Sequence, residues 1–292
     1  MISRRTMLAA PVLGVAAATA ALVGVQDGVL PGRAAMHRAL GWTGADGRIP
    51  DIATGPIVSG SFVSKARGGV RTGWSLIRPP HVTGKLPLVV TLHGRGGDHT
   101  TFIDQLGGPQ FLAQAVARGV TPYAIASVDG GESYWHPHHG EDAGAMVTDE
   151  LLPLLAGHGV DTGTLGFHGW SMGGYGALRL AGLLGHKRVR GVAVASPAVW
   201  VDSSGVSPAG FSSAAEYDTY SVFHRQRDLT GIPVRVDIGR EDPFYVAIRR
   251  YVAGFPASAH VRSTFTEGAH EAGYWRRMLP AELAFLGSTL AG

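Results

Sequence analysis

Apolar residues in this chain fall in short runs separated by glycine, proline and polar turns. Ser59–Ala66 and Val70–Arg78 alternate apolar with polar residues around Gly68-Gly69, the pattern of two antiparallel strands joined by a tight turn. Leu86–Leu92 (LPLVVTL) is different: it is continuously apolar, the mark of a strand buried on both faces. From there short apolar runs alternate with longer amphipathic stretches. The pattern predicts strands at Tyr123–Val128, Thr164–His168, Val189–Ala195, Val234–Ile238 and Val261–Phe265. It predicts helices at Phe111–Ala117, Ala143–Leu155, Met172–Leu184, Phe244–Val252 and Tyr274–Leu286. Strands separated by helices of this length give right-handed crossovers and a mainly parallel sheet. With two antiparallel strands in front, the order is that of the α/β-hydrolase fold, a mainly parallel central sheet with helices on both faces. No second domain is expected.

Two segments do not fit the alternation. Residues 200–230 are polar and aromatic with weak periodicity and read as a small cap. Residues 31–56 are mixed and rich in Gly and Pro, and read as a linker with one short helix near Ala34–Leu40. The domain itself is expected over 57–292.

The first 30 residues carry a separate signal. Ser3-Arg4-Arg5-Thr6-Met7-Leu8 precedes an Ala/Val/Leu/Gly run that reaches Val25. A twin-arginine-like export signal has this order: paired arginines, then a moderately hydrophobic stretch, then small residues suited to cleavage. A run of this length also suits an N-terminal anchor, which leaves membrane association open. Either way the expected location of the domain is the periplasm, the cell envelope or the medium.

Composition narrows the chemistry. Hydrophobic residues make up 45% of the 292 positions and charged residues 16%, which excludes disorder for most of the chain. The net charge is +3, and the arginines are scattered rather than clustered, so no nucleic-acid surface is expected. Cys is absent, which excludes disulfides, thiolate metal sites and a Cys nucleophile.

The sharpest motif is Gly169-Trp170-Ser171-Met172-Gly173-Gly174, placed between a strand and a helix rich in small residues. Such a turn is so tight that flanking positions tolerate little bulk, and it forces the serine into strained backbone angles that expose its Oγ. Ser171 is therefore the candidate nucleophile. A serine needs a base, and the base needs an orienting acid; in this fold the chain order is Ser, acid, His. Asp242, just past Val234–Ile238, is the candidate acid, with Glu241 and Asp237 as competitors. Asp242 also suits a helix N-cap before Pro243, and the two roles are compatible. His270, in the loop after the last strand, is the candidate base; His260 lies at the wrong end of the sheet. The oxyanion donors are expected to be the Met172 N–H and, from the loop Leu92-His93-Gly94-Arg95-Gly96-Gly97, the Arg95 N–H.

These residues together resemble an esterase family of α/β-hydrolases that includes esterase D, feruloyl and acetylxylan esterases, and the antigen 85 mycolyltransferases. The resemblance runs from about residue 60 onward. Gly169–Leu178 is similar to the family's nucleophile motif. Gly239-Arg240-Glu241-Asp242-Pro243-Phe244 is similar to its acid motif, and His270 with Tyr274-Trp275 to its histidine motif. Asp129 with Tyr134-Trp135, before the mid-chain helix, also fits. The resemblance implies a serine ester hydrolase acting on small-molecule, lipid or carbohydrate esters, with no cofactor. The paired glycines after Ser171 depart from the acyl-transferring branch and favour hydrolysis. An acyltransferase on envelope glycolipids is the first rival. An inactive envelope binding protein is the second.

Three further features stay open. Tyr134, Trp135 and Trp170 are candidate substrate-binding residues, though Trp170 equally suits the core. Tyr217, Tyr220 and Phe223 suit either a pocket wall or ordinary packing. His136, His138 and His139 are metal-ligating residue types, but their spacing does not suit one helix face and no carboxylate pattern accompanies them. No metal site is expected, and the stretch reads as a substrate-facing or solvated loop.

Overall fold

The computed structural model describes residues 33–292. The candidate export segment at 1–30 lies outside the described residues. Helix α1 (Arg33–Ala39) comes first. Residues 41–56 then follow the surface of the domain without regular structure. They are tied down at Gly47, whose N–H donates to Gly273 O (2.8 Å) and whose carbonyl accepts from Arg276 Nε (3.0 Å).

Strands β1 (Ile57–Ser64) and β2 (Val70–Ile77) form the expected antiparallel hairpin, turning through the left-handed Gly68 and Gly69. Then come β3 (Leu86–Leu92), the short α2 (Thr101–Asp104), α3 (Gly108–Ala117) and β4 (Ala124–Val128). A long loop contains the small hairpin β5 (Pro137–His138) and β6 (Glu141–Asp142). Helix α4 spans 143–156 and is wound as a π-helix over Met146–Leu151. Next are β7 (Val160–Trp170), α5 (Met172–Leu184) and β8 (Val189–Ala195). The chain closes with α6 (Ala214–Tyr220), β9 (Val234–Gly239), α7 (Tyr245–Ala253), β10 (Val261–Thr266) and α8 (Ala272–Leu290).

The main sheet has eight strands in the order β1-β2-β4-β3-β7-β8-β9-β10. Only the pairs β1·β2 and β2·β4 are antiparallel. Side chains alternate between faces along each strand. Leu88, Val90 and Leu92 of β3 join one core cluster with residues of α4, α5 and α7; Val89 joins the other, with α3 and α8. β4 divides in the same way, with Ala124, Ala126 and Val128 against Ile125. Helices thus cover both faces, and the central strands must be apolar at every position. That is the α/β-hydrolase architecture, with Ser171, Asp242 and His270 just beyond the C-terminal ends of β7, β9 and β10.

Segment 200–230 carries 3₁₀ turns and the seven-residue α6. Its aromatic residues Phe211, Tyr217 and Phe223 are buried and belong to the core. Among the described residues no helix is long and apolar enough to cross a membrane.

Candidate active site

The turn from β7 into α5 shows why this sequence has glycine on both sides of Ser171. A Cβ at Gly169 would overlap the carbonyl of Gly173, and one at Gly173 would overlap the carbonyl of Leu92. Ser171 itself has φ 54° and ψ −123°, in a region that non-glycine residues rarely occupy. Its backbone is held on three sides. Its N–H donates to Ala195 O (3.1 Å), and its carbonyl accepts from Ala198 (2.9 Å) and Tyr175 (3.2 Å). The hydroxyl is left standing over the strand ends.

His270 lies 2.8 Å from that hydroxyl through Nε2 and 2.8 Å from Asp242 Oδ2 through Nδ1. With Nδ1 protonated it donates to the carboxylate, and Nε2 is free to accept from Ser171 Oγ–H. The Asp242 side chain is fully buried, whereas His270 is about a quarter exposed (24%), open on the side a substrate would approach. Phe244 and Trp275 border the imidazole, with ring centroids 5.5 and 5.3 Å away.

Asp242 also shapes its own turn: Oδ1 accepts the Phe244 N–H (2.9 Å) ahead of α7. One carboxylate both caps the turn and orients the histidine. The two competitors are engaged elsewhere. Glu241 Oε2 lies 2.9 Å from His37 Nδ1. Asp237 forms a two-pronged pair with Arg235, at 2.7 and 3.0 Å. His260 precedes β10, at the opposite end of the sheet.

The loop after β3 faces the same site. Gly94 lies against Ser171 and the indole of Trp170, where a side chain would crowd both. His93, unassigned by the sequence, holds this loop from beneath. Its Nε2 accepts the Gly130 N–H (2.8 Å), so Nδ1 carries the proton and donates to Gly94 O (2.7 Å). Burial holds its pKa below the usual histidine value, which keeps the ring in this neutral state. In a planar trans peptide the C=O and the next N–H point in opposite directions. Pinning the Gly94 carbonyl therefore fixes the direction of the Arg95 N–H. Met172 is the first residue of α5, where a helix leaves amide N–H groups without helical partners.

A cavity of about 500 Å³ opens over Ser171, with Gly94, Arg95, Gln105, Trp170, His270 and Trp275 in its walls. Trp170 is at once core and wall: it is 2% exposed and stacks on Phe102, yet borders the cavity. Tyr134 and Trp135 correct the sequence reading. Both have left-handed backbones (φ 53° and 58°) that turn their rings inward. Trp135 has no exposed surface and packs against His93, with ring centroids 5.1 Å apart. Tyr134 packs against Trp200, Tyr175 and Phe211. Neither ring reaches the cavity. The member of that loop that does is Glu132, which reaches Arg95 Nε at 3.4 Å across the rim. Gln105 and Trp275 also line the cavity; no motif in the sequence marked Gln105.

A strained serine after a parallel strand, with a histidine and a buried carboxylate in line behind it, has the geometry of a serine hydrolase on an α/β-hydrolase scaffold. Solved structures share the fold. One is a ferulic acid esterase, 20% identical, with a TM-score of 0.65 over 81% of this chain and 100% of its own. Another is an S-formylglutathione hydrolase from Agrobacterium tumefaciens, 16% identical, with a TM-score of 0.66 over 82% and 98%. A third is MPT51 from Mycobacterium tuberculosis, 15% identical, with a TM-score of 0.61 over 80% and 99%. No curated protein matches the chain in sequence. Residues 69–286 match the family described as "Putative esterase". The chain belongs to this esterase family, and with it to the carboxylic ester hydrolases.

Proposed function

We propose that the protein is an exported serine carboxylesterase working through an acyl-enzyme. Ser171 attacks the ester carbonyl as its proton passes to His270 Nε2. The Oγ–acyl bond forms, the alkoxide leaves, and His270 returns the proton to it. A water, deprotonated by the same nitrogen, then releases the acid. Asp242 holds the tautomer and stabilises the imidazolium. The Met172 and Arg95 N–H groups receive the oxyanion. The observation that carries this reading is His270 bridging Ser171 and Asp242 at 2.8 Å on each side.

We read the cavity as suited to a short or aromatic acyl group, from its opening to solvent and the indoles of Trp170 and Trp275 in its wall. A series of p-nitrophenyl esters from acetate to palmitate tests this. Turnover that peaks at short chains supports it; a peak at palmitate contradicts it. A sugar acceptor added to the same assay separates hydrolysis from acyl transfer. Export rests on Arg4-Arg5 and the apolar run behind them. Replacing both arginines with lysine is expected to leave the protein in the cytoplasm, as read by fractionation.

A further inference from the structure

We infer that the protein carries a second site, separate from Ser171, which binds a divalent cation of the zinc class through His136, His138 and Glu216. One donor atom from each residue falls within 4.8 Å of the others, and both histidines are buried. The carboxylate that the histidine-rich loop lacks in sequence is supplied by α6, 78 residues beyond His138.

His136 and Glu216 are oriented from behind, as metal ligands are. His136 is clamped between Phe211 and Tyr220, at centroid distances of 4.9 and 4.8 Å. Its Nδ1 lies 3.2 Å from Tyr134 O and 3.1 Å from Tyr175 Oη. The Tyr175 hydroxyl proton is given to Tyr220 O (2.6 Å), so that oxygen can only accept from His136. Nδ1 therefore holds the ring proton, and Nε2 presents a lone pair. This buried Nε2 has no hydrogen-bond partner and faces Glu216 Oε1 at 3.5 Å. A lone pair facing a carboxylate oxygen is an unfavourable contact that a cation between them would make favourable. Glu216 is fixed in turn by the Ser212 N–H, which donates to Oε2 at 2.5 Å. His138 Nδ1 lies 2.6 Å from Glu216 Oε1.

Both separations to Glu216 lie close to what the ion needs. Zinc binds nitrogen and carboxylate oxygen at ~2.0–2.2 Å, which places two tetrahedral ligands about 3.4 Å apart. The His136–Glu216 separation already matches, and the His138–Glu216 contact must open by less than ~1 Å. Ligation through His138 Nδ1 places that ring's proton on Nε2. A groove bordered by His139, Gly140, Glu141, Asp142 and Ser212 reaches His138 and Glu216, giving a route for the ion and room for a water as fourth ligand. The ion would fasten the loop after β4 to segment 200–230. In a chain without cysteine no disulfide can do so.

The test is calorimetric titration of the full-length protein with zinc chloride alone, after dialysis against a chelator. One saturable equivalent per chain is expected, with a rise in thermal midpoint. Glu216→Gln and His138→Gln should each weaken binding beyond the ~10–100-fold typical of losing a supporting partner, and abolish the rise. Histidine-selective ¹⁵N labelling of the wild type gives a readout that no misfolded variant can confuse: two ring systems should shift and the others stay. Ester turnover should not change on zinc removal, because none of the three residues lines the Ser171 cavity. Absence of a saturable equivalent in the wild type would overturn the proposal. So would undiminished binding in Glu216→Gln, or a metal that moves histidines other than this pair.

Discussion

Two of the histidine–carboxylate contacts near the central sheet behave in opposite ways. His270 meets Asp242 at 2.8 Å, and His168 meets Glu282 at 3.2 Å. The difference lies in what surrounds them. His270 is partly open and its second nitrogen points at Ser171 Oγ. His168 is 2% exposed and its second nitrogen contacts Thr91 Oγ1 at 2.7 Å. Burial pushes the His168 pKa down to about 3 and the Glu282 carboxyl up to about 7. Asp237, next to Glu282, is also lifted to about 7, by burial first and then by the Glu282 charge. One pair thus has the exposure and the serine contact that proton transfer to a substrate needs. The other is a neutral hydrogen-bonded element of the core. Residue types alone do not separate them; exposure and the second hydrogen bond do.

The largest effect should come from cutting the open pair off from its serine. Ser171→Ala is expected to lower turnover of p-nitrophenyl acetate by ~10⁴–10⁶-fold, with the circular dichroism spectrum unchanged. A residual rate within tenfold of wild type would remove Ser171 from the chemistry.

The same acid-to-amide change at both pairs then sharpens the contrast. Asp242→Asn should cost ~10⁴-fold in kcat, because the amide favours the wrong imidazole tautomer. Glu282→Gln should leave kcat within about threefold and alter stability instead. Asp237 and Glu282 retain protons in the fold that the unfolded chain releases near 3.8 and 4.5. Between there and pH 7 the unfolded state binds fewer protons. Their contribution to stability is therefore complete below about pH 4 and declines as pH rises through 7. Glu282→Gln removes one of these titrations. Its thermal midpoint relative to wild type should rise between pH 5 and pH 8, by ~2–4 °C for each kcal/mol recovered. A difference that stays flat across this range would contradict the buried-acid description.

The oxyanion donors offer a finer division, between a backbone N–H and the side chain it belongs to. Arg95→Pro deletes the N–H and should cost ~10²–10³-fold in kcat. Arg95→Ala keeps the N–H and loses only an exposed contact with Glu132, worth at most ~1 kcal/mol, so its rate should stay within a few-fold of wild type. Equal losses in both variants would mean that the guanidinium, not the amide, serves the reaction.

Local constraints explain which parts of this site could be read from sequence. Ser171 was legible because a turn this tight excludes side chains at 169 and 173, and that exclusion is written as glycine. The sheet was legible because burial on both faces demands continuous apolar strands. Leu86–Leu92, Met172–Leu184 and Val189–Ala195 keep their predicted limits. Asp242 was legible only as one of three acids. The choice depends on His37 and Arg235 engaging the other two, and the His37 contact is remote in sequence. Trp135 misled because the left-handed backbone that turns it inward follows from the packing of its loop, not from its neighbours in the chain. The partner of His136 and His138 lies far away on α6, so a search for ligands at helical spacing could not find it.

The central claim is that Ser171 is the atom donor to the acyl-enzyme, with His270 and Asp242 behind it. The most direct measurement is labelling of the full chain with a fluorophosphonate, followed by peptide mapping. The account predicts one adduct, on Ser171, formed in proportion to the loss of ester turnover and absent when His270 is alanine. An adduct on another residue, or full turnover by a protein labelled at Ser171, would contradict it.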